Sequence, residues 1–235
     1  DELVDRFEDA TEKRRSKETI KVLIVPGHDN ESFGTSFGSV TEADMNLTVA
    51  KELNELLKEE KGIETFLTRD DDGYNPDLQD YLDENMDDVL EFREEKKEIM
   101  EELIDEGLVH SYINVEHNAA MPRVVGILYG INKYANENDF DIAIHIHFND
   151  YPGRRGSGGK YNGFAIYVPE KQYSNAEASR DMAEKIRDQF ETFMAPSDFS
   201  KESTVTEDQE LIAIGSFNTA DFASILIEYG YVYES

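Results

Sequence analysis

Apolar residues along this chain fall into short unbroken runs and longer stretches of helical spacing. Val22 to Val25 is an apolar run cut off by Pro26-Gly27, and Lys21 to Val25 reads as a buried strand with His28 at its C-terminal end. After a Gly/Ser-rich loop, Thr41-Glu42-Ala43-Asp44 forms an S/T-x-x-D/E capping signal ahead of Leu47, Ala50, Leu53, Leu56 and Leu57. That pattern predicts a helix from about Thr41 to Glu60, with Gly62 as its stop. Ile63 to Leu67 reads as a second strand. Leu78, Leu82, Met86, Val89 and Leu90, then Ile99, Met100, Leu103 and Ile104, form one apolar stripe opposite an acidic face. This predicts a long helix or a helical hairpin ending near Gly107.

Further on, the pattern predicts a helix over Val124–Ala135, a strand over Phe140–Phe148 and a Gly-rich loop over 151–163. A strand over Phe164–Val168, an amphipathic helix over Ser174–Phe193, a short strand over Leu211–Ile214 and a last strand over Ser224–Tyr229 follow. Strands alternating with helices predict a single α/β domain whose twisted, mostly parallel sheet of about six strands is flanked by helices. Residues 1–20 read as a polar lead-in and 21–235 as the domain. Residues 75–118, where the alternation is suspended, read as an acidic helical insertion.

Charge changes this picture. The 235 residues carry a net charge of −29, and 32% of them are charged against 39% hydrophobic. Residues 75–118 hold 15 acidic and 3 basic residues, so they contribute −12. So acidic a surface repels phosphate backbones, which argues against nucleic acid and anionic membranes as partners. No apolar run is long enough to span a bilayer, so no membrane insertion is expected. No signal peptide is recognisable either. Cysteine is absent, which removes disulfides, thiolate nucleophiles and Cys-based zinc sites. A transition-metal site must then use carboxylates and the five histidines: His28, His110, His117, His145 and His147.

Two places stand out chemically. His145 and His147 lie two apart on the most apolar strand, DIAIHIHF, so both face one side of it. Burying two imidazoles there is costly unless they have partners. Glu228 follows the apolar or small run Ala223 to Ile227, where a carboxylate is either ion-paired or catalytic. His28, Glu42 and His147 match the three N/O ligands that zinc hydrolases use, and Glu228 is then available as a general base. His110 and His117 read as surface or partner contacts, and Arg69 and Asp70 as ties for a strand end.

The pieces PGHDN, TEADMNLTVAKELNELL, FLTRD, IHIHFND, GFAIYV and SILIEYGYV stand in this order over most of residues 21–233. In that order they resemble the zinc-dependent N-acetylmuramoyl-L-alanine amidases of the amidase-3 type. The corresponding family pieces run PGHGG, E-x-D-x-x-L, TRD, SIHAN, G-x-E-x-Y and VLVE-x-G. The resemblance implies Zn²⁺ held by His28, Glu42 and His147, with Glu228 as the catalytic carboxylate. His145 and Asn149 would stand beside the metal ligands. The implied substrate is peptidoglycan or a muropeptide, cleaved between N-acetylmuramic acid and L-alanine outside the cytoplasm. A regulatory protein partner for residues 75–118 belongs to the same expectation.

The chain departs from the family at Asp29 (usually Gly), His145 (usually Ser) and Phe148 (usually small). These departures, with the acidic segment, leave two alternatives open. One is a catalytically silent or autoinhibited peptidoglycan-binding protein on the same fold. The other is a zinc amidohydrolase acting on a different N-acyl amino acid.

Overall fold

The computed structural model describes residues 19–111, 120–151, 153–154 and 159–234. Its core is a six-stranded sheet. The strands are β1 (Ile20–Pro26), β4 (Ile63–Leu67), β5 (Ile142–Asn149), β6 (Ala165–Pro169), β7 (Val205–Asp208) and β8 (Ala223–Tyr231), in the order β4-β1-β5-β8-β6-β7. The first four run parallel to one another. β6 pairs antiparallel with β8, and β7 parallel with β6. A small hairpin of β2 (Ser36–Phe37) and β3 (Val40–Thr41) lies in the loop between β1 and the first helix.

Strand alternation divides the side chains between two helical layers. Val22, Ile24 and Ile146 face α1 (Glu42–Lys58) and meet Ala50, Val49 and Leu53. On the same face Ile166, Ile225 and Ile227 meet Ala183 and Ile186 of α4 (Ala176–Phe190). Leu23, Val25 and Ala143 point the opposite way. They pack against Leu78 and Leu82 of α2 (Pro76–Asp105) and Ile127 and Ile131 of α3 (Pro122–Glu137). From β1 the chain winds outward through α1 to β4, then returns through α2 and α3 to β5 on the other side of β1. The β1–β5 boundary is therefore where the winding reverses, and in open α/β sheets ligands bind at the carboxyl ends of the strands there. His28 follows β1 and His147 lies near the end of β5, so both sit at this crevice.

The long acidic stripe forms one helix, not a hairpin. Asn75 caps it by accepting from Asp77 N at 3.0 Å. A kink falls at Asn85 (φ −119°, ψ 15°), whose side-chain amide donates to Tyr81 O at 2.8 Å. Residues Leu78, Leu82 and Val89 are fully or nearly buried, so this helix is part of the core and removing 75–118 would strip one face of the sheet. Gly126 and Gly130 on α3 let α2 approach closely. A Cβ added at Gly130 would stand 2.2 Å from Leu82 Cδ2, and one at Gly126 would stand 3.1 Å from Met86 Sδ.

One predicted strand is wrong and one strand was missed. Leu211–Ile214 is not extended: Ile212–Ile214 form a 3₁₀ turn that ends at Gly215 in the left-handed region (φ 99°). The apolar residues there cover the sheet face beside Tyr167 and Leu226 without pairing in it. The sixth strand is Val205–Asp208, which the apolar pattern does not reveal because it is almost wholly polar. Its buried polar groups are satisfied locally: Thr206 donates to Ser203 O at 2.7 Å, and Asp208 accepts from Glu210 N and Leu211 N at 2.8 Å.

Gly130→Ala tests the close approach of α2. The helix-propensity gain of about 1 kcal/mol for Gly to Ala should lose to an overpacking cost of about 1–3 kcal/mol. Urea unfolding should therefore show a less stable protein. Its effect should be non-additive with Leu82→Ala, which removes the clashing atom.

Candidate metal centre

Three elements deliver the site. β1 ends at Pro26, and His28 takes a left-handed backbone conformation (φ 63°), which a non-glycine residue adopts only under strain. Its Nδ1 lies 3.1 Å from Ser32 O. That contact makes Nδ1 the donor, so that Nε2, once it gives up the proton it shares with Glu42, is the nitrogen left to bind a metal. Glu42 opens α1, whose N-cap Thr41 accepts from Asp44 N at 3.2 Å. In this first turn the carboxylate also gains from the helix dipole. His147 comes from β5 and stands opposite Glu228 of β8 in register, just before a register shift between His147 and Asn149.

Glu42 joins the two histidines. Its Oε1 lies 2.9 Å from His147 Nδ1 and its Oε2 lies 3.1 Å from His28 Nε2, while Thr35 N donates to Oε2 at 3.1 Å. The imidazole rings are 5.1 Å apart and inclined at 72°. Glu42 is only 5% exposed. Burial alone would raise its pKa, but the hydrogen bonds and charges of His147 and His28 outweigh that and hold the carboxyl well below the usual carboxylate range. His28 responds reciprocally. Burial works against its protonation, yet Glu42 beside it leaves its pKa raised.

Two glycines make room for this cluster. A Cβ at Gly27 would fall 2.2 Å from His147 Nε2, and one at Gly34 (φ 71°) would fall 2.4 Å from Glu42 Oε2. His28, Glu42 and His147 each offer a ligand atom within 4.8 Å of the others. Two imidazole nitrogens and a carboxylate oxygen around one point, with the ring orientation set by Ser32, suit a divalent transition metal such as zinc.

Beside the cluster, Glu228 is partly buried and its Oε2 has no hydrogen-bond partner among the described residues. Burial, then the charges of Glu42 and Glu202, push its pKa well up. The cleft that contains these groups holds about 860 Å³. His145 lines it too, buried against Val25 and Leu226 in register, with Nε2 unpartnered among the described residues. Burial, and then the neighbouring His147, push the pKa of His145 down to about 3. Asn149 lies on the cleft wall and donates to Glu202 at 2.7 Å.

The structure therefore brings together His28, Glu42, His147, His145, Asn149 and Glu228. His110 lies apart and exposed, with its backbone bonded to Gln172. His117 falls outside the described residues. Arg69 ties down more than a strand end. It is 4% exposed and donates to Gly27 O at 3.0 Å, to Ala43 O at 2.9 Å and to Pro26 O at 3.3 Å. Asn46 donates to the same Gly27 carbonyl at 2.9 Å, so the two loop ends that carry His28 and Glu42 are clamped together.

Sequence reasoning missed the work of Asp29, Arg123 and Tyr74. Asp29 accepts from Arg123 Nη2 at 2.8 Å, Ser32 N at 2.7 Å, Glu31 N at 2.9 Å and Tyr74 OH at 3.0 Å, and so folds the loop that presents His28. Glu202 was missed as well. It accepts from Tyr167 OH at 2.8 Å and Ser197 Oγ at 2.5 Å in addition to Asn149. No motif surrounds Glu202 in the sequence, whereas Asp29 was marked as a departure from the resembled pattern.

An open α/β sheet with a carboxylate–imidazole group at its strand-end crevice has that group where such sheets bind ligands, an arrangement that suits an enzyme's catalytic domain. Residues 22–235 match the family model described as N-acetylmuramoyl-L-alanine amidase (Amidase_3), and the chain belongs to that amidase family. Among solved structures, the chain is similar to the amidase Ami1 of Mycobacterium smegmatis, at 15% identity and a TM-score of 0.57 over 92% of this chain and 84% of that one. It is similar to the catalytic domain of CwlV from Bacillus (Paenibacillus) polymyxa var. colistinus at 17% identity, with a TM-score of 0.55 over 92% and 82%. A third likeness is to the CwlD amidase of Clostridioides difficile, solved in complex with the GerS lipoprotein (18% identity, TM-score 0.52, 92% and 84%). At these identities the likeness is one of fold. No match was found among curated proteins.

The buried imidazole sets a pH expectation for the metal-free protein. His145 has a folded pKa of about 3 against about 6.5 unfolded, so below pH 6.5 the unfolded state takes up a proton that the folded state refuses. Its contribution is fully present above that range and is lost as pH falls toward 3, by at most about 1.4 kcal/mol per pH unit. Urea unfolding of His145→Gln should show a flatter acid limb than the parent chain between those limits.

Proposed function

We propose that this amidase is a zinc-dependent hydrolase that cleaves the amide between N-acetylmuramic acid and L-alanine in peptidoglycan. His28, Glu42 and His147 would hold the zinc ion, and Glu228 would act as general base. One observation carries the reading: the three ligand atoms lie within 4.8 Å of one another, beside a carboxylate whose Oε2 lacks a partner among the described residues.

When bound, zinc supplies a Lewis acid that makes water a nucleophile near neutral pH. The chain's own groups do the rest. Glu228 accepts a proton from the attacking water while the water oxygen bonds to the acyl carbon of the lactyl group. Glu228 then returns that proton to the alanine nitrogen as the carbon–nitrogen bond breaks. The products are the carboxylate on the sugar side and a free peptide amine. A raised pKa suits a residue that must both take and return a proton. The Ser32 contact fixes the tautomer of His28, and Arg69 with Asn46 keeps His28 and Glu42 in register.

Peptidoglycan as substrate puts the site of action outside the cytoplasm, and the proposal includes that location. It also includes a regulatory protein partner for residues 75–118, whose described helix exposes Leu90 and Ile99 among its carboxylates. Among the described residues, no helix is long and apolar enough to cross a membrane.

Metal analysis of the purified chain should find one zinc per chain. It should be lost in both His28→Ala and His147→Ala; a folded chain without zinc would remove the metal from the reading. Glu228→Gln should keep the zinc and slow muropeptide cleavage by about 10²–10⁴-fold, the range for losing a positioned general base. Unchanged cleavage would exclude Glu228. In the metal-free protein the same change should raise stability at pH 7. A carboxyl whose folded pKa lies above its unfolded value contributes stability only at low pH, and that contribution is lost as pH rises.

A further inference from the structure

The cleft continues past the metal ligands into the protein. Val25, Ile131, Ala213 and Leu226 line it and are all buried, so this inner end is closed. Two buried polar side chains stand among them: Thr68 and His145 are each 1% exposed, and Thr68 Oγ1 and His145 Nε2 have no hydrogen-bond partner among the described residues. A buried ring nitrogen without a partner, beside a cavity, is a group that a ligand can satisfy. It shares a sheet face with His147 and Glu228, because the three alternate in step on paired strands.

The charges around the cleft restrict what that ligand is. No lysine or arginine stands among the described residues lining it. Arg123 and Arg154 point their guanidinium groups at lining carboxylates, Asp29 and Asp150. Glu228 and Glu210 also line the cleft, and neither has an ion-pair partner among the described residues. The N-terminus of α3, where a carboxylate would be welcome, is at the other end. Ile131 lies seven residues beyond Val124, roughly 10 Å further along the helix. Glu210 is exposed and Glu228 stands by the proposed metal ligands, so the inner end itself is apolar apart from Thr68 and His145, and a free carboxylate there would lose its hydration with no lysine or arginine among the described lining residues to receive it.

The substrate has one part that fits a closed end. The glycan is a polymer that runs on in both directions, so the group that enters comes from the stem peptide. We propose that the inner end of the cleft is a subsite for a neutral carboxamide of the stem peptide, hydrogen-bonded by His145. The chain then prefers peptides whose second residue carries a primary amide over those with a free carboxylate there. This rests on the amidase reading above.

The test uses N-acetylmuramoyl-L-alanyl-D-isoglutamine and N-acetylmuramoyl-L-alanyl-D-glutamate with the zinc-loaded chain. The expected kcat/KM ratio is about tenfold or more in favour of the amide. His145→Ser should lower kcat/KM for the amide more than for the acid and so compress the ratio. Glu210→Lys, at an exposed lining position, should compress it by improving the acid. A ratio near one, or in favour of the acid, overturns the subsite, as does a ratio that both variants leave unchanged. Should His145→Ser fail to fold, the parent ratio and Glu210→Lys decide. Hydrolysis of neither dipeptide would overturn the amidase reading instead. Calorimetric affinities of the two for zinc-loaded Glu228→Gln would then decide the subsite, with equal or tighter acid binding overturning it.

Discussion

A buried carboxylate must find partners, and Glu42 finds them in two histidines, one from the loop after β1 and one from β5. That requirement organises the rest of the site. It brings the end of β1, the first turn of α1 and the end of β5 to one point. It also demands two glycines where any side chain would collide with the cluster. The clamp from Arg69 and Asn46 onto Gly27 O keeps those pieces from drifting, because a buried guanidinium that donates to carbonyls cannot move without leaving them unpaired. The left-handed backbone at His28 is tolerated because Ser32, Asp29 and Arg123 determine the loop from several sides.

The excess of negative charge is handled in two ways. Far from the site, the carboxylates of α2 face solvent, while Leu78, Leu82 and Val89 anchor that helix to the sheet. Near the site, Asp29 and Asp150 each receive an arginine, and Glu42 receives imidazoles. Glu228 is left with an unpartnered oxygen among the described residues, and Glu42 and Glu202 add like charge to its burial. The fold therefore stores its least comfortable carboxylate where proton transfer would be needed, an arrangement found at functional sites more than elsewhere.

Much of the frame was legible in the chain itself. The apolar runs around Ile24, Ile144, Ile166 and Ile225 are long enough and apolar enough to be strands buried on both faces, and the Thr41 cap marks α1 without ambiguity. The candidate residues His28, Glu42, His147 and Glu228 were legible because each sits where an apolar run or a helix start makes a charged or imidazole group expensive. Strand Val205–Asp208 was not legible, since its pattern is polar and its buried groups are paid for by local hydrogen bonds. The apolar Leu211–Ile214 looked like a strand because period alone cannot separate a covering turn from a paired segment.

What the sequence by itself determined is the order of elements, the α/β class and the residue types available for chemistry, because these follow from local periodicity, caps and composition. Only the tertiary structure decided which of those residues meet. His28 and His147 are 119 positions apart in the chain, and their approach to Glu42 follows from β1 and β5 being neighbours in the sheet. Arg123, Arg69 and Glu202 became part of the site through contacts that no local pattern encodes. The orientation of His145 toward the cleft, with nothing described to bond its Nε2, likewise follows from strand register, which long-range packing sets.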